Sequence, residues 1–278
     1  MNKNFVVAII VITVLLVAVL AFAEPVPGPR TTALPVFGPE AQAQPAPASE
    51  AKALEIVKKI DELYRAQSSY AQVEMEIVTP DWQRTLVLKA WSKGEDKTLI
   101  RILQPKKEAG VGTLRIGNEM WNYLPNTDKV IKIPPSMMIS SWMGSDFTND
   151  DLVKEYTFVH DFTFRLINPE GAEKGLLYIE SKPKPGVPIV WDKIVIAARE
   201  SDLLPVWQKF YDEKGKVVRV MAYTDIKTFG KRTIPSVMEM VPQTKQGYKT
   251  VLRYRDVEFD RALDDSIFSL RNLQSGRF

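Results

Sequence analysis

The spacing of hydrophobic positions changes near residue 70. Between residues 49 and 67 apolar residues recur every three or four positions, which predicts a helix with one apolar face. Ser49 is the expected N-cap, and Glu50 suits the positive end of the helix. The apolar positions are Ala53, Ile56, Val57, Ile60, Leu63 and Tyr64. A helix with one apolar face must pack against another element, and the next segments predict a sheet.

From Tyr70 onward the period becomes two, which is typical of strands with one buried face. Val73, Met75 and Ile77 alternate with polar residues, and the next such segment spans residues 82–89. Further segments of strand length cover residues 97–103, 114–123, 130–133, 157–167, 175–181, 191–198, 205–211, 217–229, 234–241 and 248–259. Gly117-Asn118 and residues 212–215 predict hairpin turns. About a dozen strands joined by short loops favour an antiparallel meander, curled into a barrel or half-barrel, over a parallel sheet.

The amino terminus has the pattern of an export signal. Residues 5–22 are almost wholly apolar after Lys3, and Ala21-Phe22-Ala23 supplies a cleavage site, so residues 1–23 are predicted to be a signal peptide. The apolar run is also long enough for an uncleaved membrane anchor, which remains the alternative. Residues 24–49 are rich in Pro and Ala and predict a disordered tether. The folded domain is then expected at residues 50–278.

Composition excludes several classes of function. The net charge is +3 in 278 residues, and the charges are interspersed, so nothing indicates a nucleic-acid partner. The chain has no cysteine, which excludes disulfides, thiolate metal sites, cysteine nucleophiles and a lipid-bearing cysteine. With a single histidine, His160, a multi-histidine metal site is excluded as well. We predict no metal site and no cofactor.

Residues 136–147 carry the strongest candidate for a functional element. This segment follows Pro134-Pro135 and holds Met137, Met138, Ile139, Trp142, Met143 and Phe147. Its spacing predicts a short helix that ends at Gly144, and Thr148-x-x-Asp151 predicts the capping box of a second helix. Methionine adapts to ligands of varied shape, so this element suits a lid over an apolar cavity. The same composition also suits a plug that only completes the core.

The strands carry more large aromatic side chains than one helix can cover. These are Trp82, Trp91, Trp121, Tyr123, Phe162, Phe164, Trp191 and Trp207. Each of these side chains could belong either to the core or to the wall of a ligand cavity. Apolar side chains that the predicted helix cannot cover indicate a cavity in the interior.

Catalytic patterns are weak, and we predict no catalytic residue. His160 lies on a predicted strand face with Phe158, Phe162 and Phe164, which is typical of a structural histidine. The serines at 136, 140, 141 and 145 lack a nucleophile elbow. The carboxylates of Asp146, Asp150 and Asp151 are explained by helix capping and solvation. No glycine-rich phosphate loop is present in the sequence.

Three segments resemble the LolA-like family of outer-membrane lipoprotein-sorting proteins, in its longer branch. They are ALEIVKKIDELY at 53–64, GTLRIGNEMWNYLP at 112–125 and MGSDFTNDDL at 143–152, and the resemblance extends over residues 50–278. It implies a mainly β fold with some α: a half-open antiparallel barrel of about 11–12 strands, with an N-terminal helix and short lid helices over its mouth. The family also has an arginine that bonds to the lid, which cannot be matched here to Arg84, Arg101 or Arg115.

The resemblance implies a non-enzymatic periplasmic carrier that shelters the acyl chains of lipoproteins or lipids. Its donor would be an inner-membrane exporter, either an ABC transporter or a large lipid exporter, and its acceptor would lie at the outer membrane. The predicted lipid-binding residues are the six of the candidate lid together with Trp91, Trp121, Tyr123, Phe162 and Phe164. Two alternatives stay open. An envelope sensor or adaptor would use the same cavity to detect lipids and signal by protein contact, and a structural protein would have its barrel filled with side chains.

Overall fold

The computed structural model describes residues 47–154, 158–187 and 189–276. The predicted signal peptide and all but the end of the predicted tether lie outside these residues. The first helix, α1, spans Pro47–Arg65 and therefore starts two residues earlier than predicted. Ser49 lies inside its first turn and is not the N-cap, because a proline lacks the N–H that the first turn leaves unpaired and so can itself open a helix.

The strands form one antiparallel sheet. Their bounds are β1 Ser68–Val78, β2 Gln83–Lys93, β3 Lys97–Gln104, β4 Gly112–Ile116, β5 Glu119–Leu124, β6 Lys129–Lys132, β7 Phe162–Ile167, β8 Leu176–Pro183, β9 Lys193–Arg199, β10 Pro205–Tyr211, β11 Val217–Phe229, β12 Arg232–Pro242 and β13 Lys249–Phe259. The shorter helices are α2 Asn149–Lys154, α3 Phe158–Asp161 and α4 Leu270–Ser275. The sheet has 13 strands, in an open arrangement that confirms the predicted mainly β, half-open fold.

The order of strands shows that the two edge strands of the sheet are joined by a single connection. The order is β6-β5-β4-β3-β2-β1-β13-β12-β11-β10-β9-β8-β7, so an N-terminal meander and a C-terminal meander join where β1 pairs with β13. The free edges are β6 and β7, which are consecutive in the chain. The connection between them, residues 133–161, is called the lid segment below. It holds α2, α3 and two 3₁₀ turns, Pro135–Met137 and Trp142–Gly144.

Two regions differ from the sequence prediction. Residues 158–161 were predicted as strand but form α3, because Phe158 and Phe162 are spaced for a helical turn as well as for a strand face. Their rings lie 4.5 Å apart. His160 is consequently exposed on α3 and not on an apolar strand face, and its Nε2 lies 3.3 Å from Glu95 Oε2.

The C-terminal segment was not predicted at all. It contains a 3₁₀ turn at Asp265–Phe268, with Asp264 accepting from the N–H of Ser266, and then α4. Ser269 caps α4 by accepting from the N–H of Asn272, and Gly276 follows with a φ of 62°. A serine before a short apolar run and a glycine after it are the signals that indicate such a helix.

Apolar side chains form three clusters. One lies where α1 packs on β7–β10 and includes Ile56, Ile60 and Phe164. A second lies where the lid segment packs on β1–β3, and includes Val73 and Trp142. The third, called the outer cluster, lies between the N-terminal meander and the C-terminal segment. It consists of Tyr70, Trp91, Leu99, Leu114, Leu263, Phe268 and Leu273.

Candidate ligand cavity

An apolar cavity of about 310 Å³ lies between α1, the lid segment and one face of the sheet. Side chains from β1–β3 and from β9–β13 line the same space, so the sheet curls around it. The register shifts in four strand pairs: β1 with β13, β2 with β3, β9 with β10, and β10 with β11. Such shifts are the bulges that bend a sheet. The lining is predominantly aliphatic and aromatic and includes Val57, Ile60, Val73, Met75, Trp142, Phe147, Phe162, Phe210, Met238 and Met240.

Small residues at the centre of the sheet help to leave this space open. Ala71 on β1 is directly paired with Ala90 on β2, and both line the cavity. Larger side chains at these two positions would fill part of the cavity.

The middle of the lid segment is a turn and not the predicted helix. Met143 has a φ of 52° and Gly144 a φ of 75°, and the N–H of Ser145 donates to the carbonyl of Trp142 at 2.9 Å. Two consecutive positive φ values are those of a type I′ turn, which reverses the chain where a helix would continue it. Ser141 pairs with Thr148 across this reversal, and the N–H of Trp142 donates to the carbonyl of Phe147. Trp142 and Phe147 thus enter the cavity side by side.

Polar contacts anchor this turn to the sheet. Trp142 Nε1 donates to Thr113 Oγ1 at 3.1 Å, beneath the lid segment on β4. The N–H of Asp146 donates to Thr250 Oγ1 at 2.9 Å, and that hydroxyl donates to Asp146 Oδ2 at 2.8 Å. Burial raises the pKa of Asp146, although the Thr250 hydrogen bond opposes the shift. Arg84 donates to the carbonyl of Met143 and forms an ion pair with Glu108 at 3.0 Å.

A buried ion pair holds the second part of the lid segment. The predicted capping box is confirmed: Thr148 N–H donates to Asp151 Oδ2 at 2.8 Å, and Asp151 N–H donates to Thr148 Oγ1 at 3.1 Å. Arg219 on β11 donates to both carboxylate oxygens of Asp151, at 2.6 and 2.8 Å. Its guanidinium lies 4.3 Å from the Trp191 ring centre and 4.1 Å from that of Phe210.

The charge state of Asp151 follows from this pairing. Burial tends to raise the pKa of the carboxyl group, but the hydrogen bonds and the positive charge of Arg219 outweigh burial, so the pKa is lowered. The carboxylate therefore stays ionised and the ion pair intact at neutral pH. Sequence reasoning missed Arg219, because β11 gives no local signal that its side chain reaches the lid segment. Of the three arginines considered from the sequence, Arg84 is the one that contacts this segment through the Met143 carbonyl.

The structure divides the predicted lipid-binding residues among several environments. Trp142, Phe147 and Phe162 line the cavity. Phe164 lies in the core beneath α1, and Met143 packs against the cluster under the lid segment. Met137 and Ile139 are exposed and Met138 is half-buried, and none of the three lines the cavity. Trp91, Trp121 and Tyr123 belong to or pack on the outer cluster, on the opposite face of the sheet.

These features define a class of protein: a curled antiparallel sheet that encloses an apolar cavity, closed by a helix and by a lid segment with polar anchors. Three solved structures share this fold. They are a DUF1329 family protein from Desulfovibrio piger (TM-score 0.72), a protein described as an outer membrane lipoprotein-sorting protein domain from Vibrio parahaemolyticus (0.70) and a LolA superfamily protein from Nitrosomonas europaea (0.66). Each is 23% identical to this chain, covers 79–81% of it and is itself covered to 98–99%.

The sequence itself matches a family profile described only as "Uncharacterized protein"-like, over residues 94–275. That match extends over more than half of the chain and shows that the chain belongs to this family, and the solved structures show that it has the fold of a LolA superfamily protein. The resemblance seen in the sequence is thereby confirmed. No curated protein matches the chain. Within the part of the chain that the structure describes, no helix is long and apolar enough to cross a membrane.

Proposed function

We propose that the protein is a non-enzymatic carrier of the cell envelope that binds acyl chains of lipoproteins or lipids in the cavity. The observation that carries the proposal is an apolar, lid-covered cavity inside a LolA-like fold. In this proposal the protein works in the periplasm, receives its cargo from an inner-membrane exporter and passes it toward an outer-membrane acceptor. The donor is an ABC transporter or a large lipid exporter.

The energetics of the cavity suit a carrier that must also release its cargo. Each methylene that the cavity shelters gains roughly 0.8 kcal/mol, so about ten sheltered methylenes would gain about 8 kcal/mol, before the cost of ordering the chain. That gain retains a chain against water, and a bilayer or acceptor that covers more of the chain gains more. The lid segment is held by the side chains of Trp142 and Phe147 in the apolar cluster, together with hydrogen bonds and the Asp151–Arg219 ion pair. Its displacement would expose the cavity without unfolding the sheet.

Native mass spectrometry with lipid extraction, on protein purified from the periplasm without detergent, tests the proposal. We expect acyl lipid or lipoprotein to co-purify and to transfer between donor and acceptor vesicles in the presence of the protein. Ala90→Phe places a ring in the cavity and should abolish both results while the fold persists. Ala222→Phe is the matched control. Its neighbours Met221 and Tyr223 line the cavity, so Ala222 points to the other face of β11.

Two results would contradict the proposal. Wild-type protein that stays empty when offered phospholipid and acylated peptide would show that the cavity does not bind acyl chains. Equal loading of Ala90→Phe and Ala222→Phe would show that the bound lipid lies elsewhere on the molecule.

A further inference from the structure

A second, polar cleft of about 650 Å³ adjoins the apolar cavity. It lies between the C-terminal half of α1, the turn that joins β2 to β3, and α3. Its charged and titratable lining residues are Lys58, Asp61, Glu62, Glu95, His160 and Arg232. The cleft thus presents both signs of charge beside a space whose lining is predominantly apolar.

The walls of the two spaces are continuous. Asp61 lines both of them. At four other places a residue of the cleft lies within two positions of a residue of the cavity. The pairs, with the cleft residue first, are Gln67 and Ser69, Gly94 and Ser92, Val159 and Phe158, and Arg232 and Ile234. The cleft and the cavity are therefore neighbours that share part of their lining.

The end of the cavity beside the cleft is polar. Ser69 on β1 pairs with Ser92 on β2, which pairs with Thr98 on β3, and all three line the cavity. The Oγ1 atom of Thr98 is buried and has no hydrogen-bond partner among the described residues. An unpaired buried hydroxyl is costly, so this row of hydroxyls suits the ester or hydroxyl groups that join an acyl chain to its headgroup.

The charges in the cleft are arranged for a headgroup that has both signs. Within the described residues the Nζ atom of Lys58 has no ion-pair partner, and neither has the carboxylate of Glu62 one turn further along α1. Arg232 donates to the backbone carbonyl of Glu62 at 2.6 Å and lies 3.6 Å from Asp260. Lysine and arginine side chains are suited to a phosphate, and a carboxylate to an ammonium group.

We propose that the cavity and the cleft form one amphiphile site that takes a phospholipid whose headgroup carries a phosphate and an amine. This inference rests on the proposed carrier function and assigns its cargo class. An acyl chain lies in the cavity, the ester region meets Ser69, Ser92 and Thr98, and the headgroup occupies the cleft. Lys58 and Arg232 bind the phosphate, and Glu62 binds the amine.

Displacement of a fluorescent fatty acid from the full exported protein tests the headgroup assignment. The competitors are palmitoyl lysophosphatidylethanolamine, palmitoyl lysophosphatidylglycerol, monopalmitoylglycerol and a palmitoylated peptide. We expect the first to bind tightest. Lys58→Gln should weaken both phosphate-bearing lipids by up to about fivefold and leave monopalmitoylglycerol unchanged, since an ion pair at this exposed position contributes up to about 1 kcal/mol. Glu62→Gln should weaken only the ethanolamine lipid. The matched control is Lys59→Gln, because Lys59 pairs instead with Glu55.

Each other outcome has a distinct meaning. If all competitors bind equally and the cleft variants change nothing, the headgroup site is overturned while the carrier function stands. If the palmitoylated peptide binds tightest and Lys58→Gln leaves it unchanged, the phospholipid assignment is overturned in favour of lipoprotein cargo. If the probe binds but no competitor displaces it, the headgroup assignment is overturned. If the probe never binds, the carrier function falls with it.

Discussion

The two faces of the N-terminal meander differ in the size of their side chains, as two adjacent rows of cross-strand neighbours show. On the outer face Tyr70, Trp91, Leu99, Leu114 and Trp121 follow one another across β1–β5. One residue further along, Ala71, Ala90, Ile100, Thr113 and Asn122 form the row on the cavity face. Neighbours in such a row lie on one face, so large rings fill one side of the sheet while small residues leave space on the other.

The covers of the two faces differ as well. The outer row is covered by Leu263, Phe268 and Leu273 of the C-terminal segment, which are all buried. Arg101 holds the last turn of α4 on the sheet by donating to the carbonyls of Asn272 and Leu273. The cavity row is covered by the lid segment, which combines the buried rings of Trp142 and Phe147 with polar anchors. We therefore expect the outer face to stay covered as permanent core, whereas in the proposed carrier the cavity face is the one that is uncovered.

The largest expected effect is on the outer face, for Trp91→Ala. Trp91 is 5% exposed within the outer cluster, and the loss of such a ring should lower the free energy of unfolding by about 4 kcal/mol. Acyl-chain binding by the remaining folded protein should be unchanged, since Trp91 points away from the cavity. Urea denaturation and probe binding measure the two quantities separately.

Trp82→Ala is the control for this variant. Trp82 is 45% exposed and its ring centre lies 5.3 Å from the Arg84 guanidinium, so its loss should cost at most about 1 kcal/mol. If Trp91→Ala abolished acyl-chain binding at unchanged fold, the separation between the two faces would be wrong.

A smaller effect is expected on the cavity face, for Asp151→Asn. Removal of the charge leaves Arg219 buried without its carboxylate, which should cost about 3 kcal/mol of unfolding free energy at neutral pH. The pKa of Asp151 is lowered by folding, so its contribution is complete above the ordinary value of 3.8 and is lost as the pH falls through the lower folded value. Urea denaturation should therefore show a smaller difference between wild type and variant near pH 3 than near pH 7.

Asp256→Asn, at an exposed position on β13, controls for the general effect of removing an aspartate. This variant should follow wild type at both pH values. An Asp151→Asn difference that stays constant or grows as the pH falls would show that the ion pair does not hold the lid segment.

Sequence patterns predicted the strands well because alternation is local. Most predicted segments agree with the observed strands to within a few residues, and 205–211 and 217–229 agree at both ends. Alternation also identifies two faces per strand, but not what covers each. Trp91 and Phe162 look alike in the sequence, yet one packs under the C-terminal segment and the other lines the cavity.

The parts of the site that were missed depend on contacts between distant residues. Arg219 reaches Asp151 from 68 positions away, so no local pattern reveals the pair. The lid turn was missed for a different reason. The Met- and Trp-rich sequence fits helical spacing, and the positive φ values of Met143 and Gly144 override it. The junction of cavity and cleft likewise exists only once α1, β1, β2 and α3 are brought together.

The smallest effect should come from Gly112→Ala, where α4 approaches β4. A Cβ atom at position 112 would lie 2.7 Å from Leu273 Cδ1 and 3.1 Å from the Arg101 guanidinium, so Leu273 must shift. The φ of Gly112 is not in the left-handed region, so the cost is steric and should be about 1 kcal/mol, the low end for overpacking. Because the clash is with Leu273, Gly112→Ala should cost less, or nothing, in a Leu273→Ala background, and a double-mutant cycle by urea denaturation measures this coupling. If the effects of Gly112→Ala and Leu273→Ala simply added, the added methyl group would not clash with Leu273. Unchanged acyl-chain binding in Gly112→Ala would complete the contrast, since this contact belongs to the permanent cover and not to the lid.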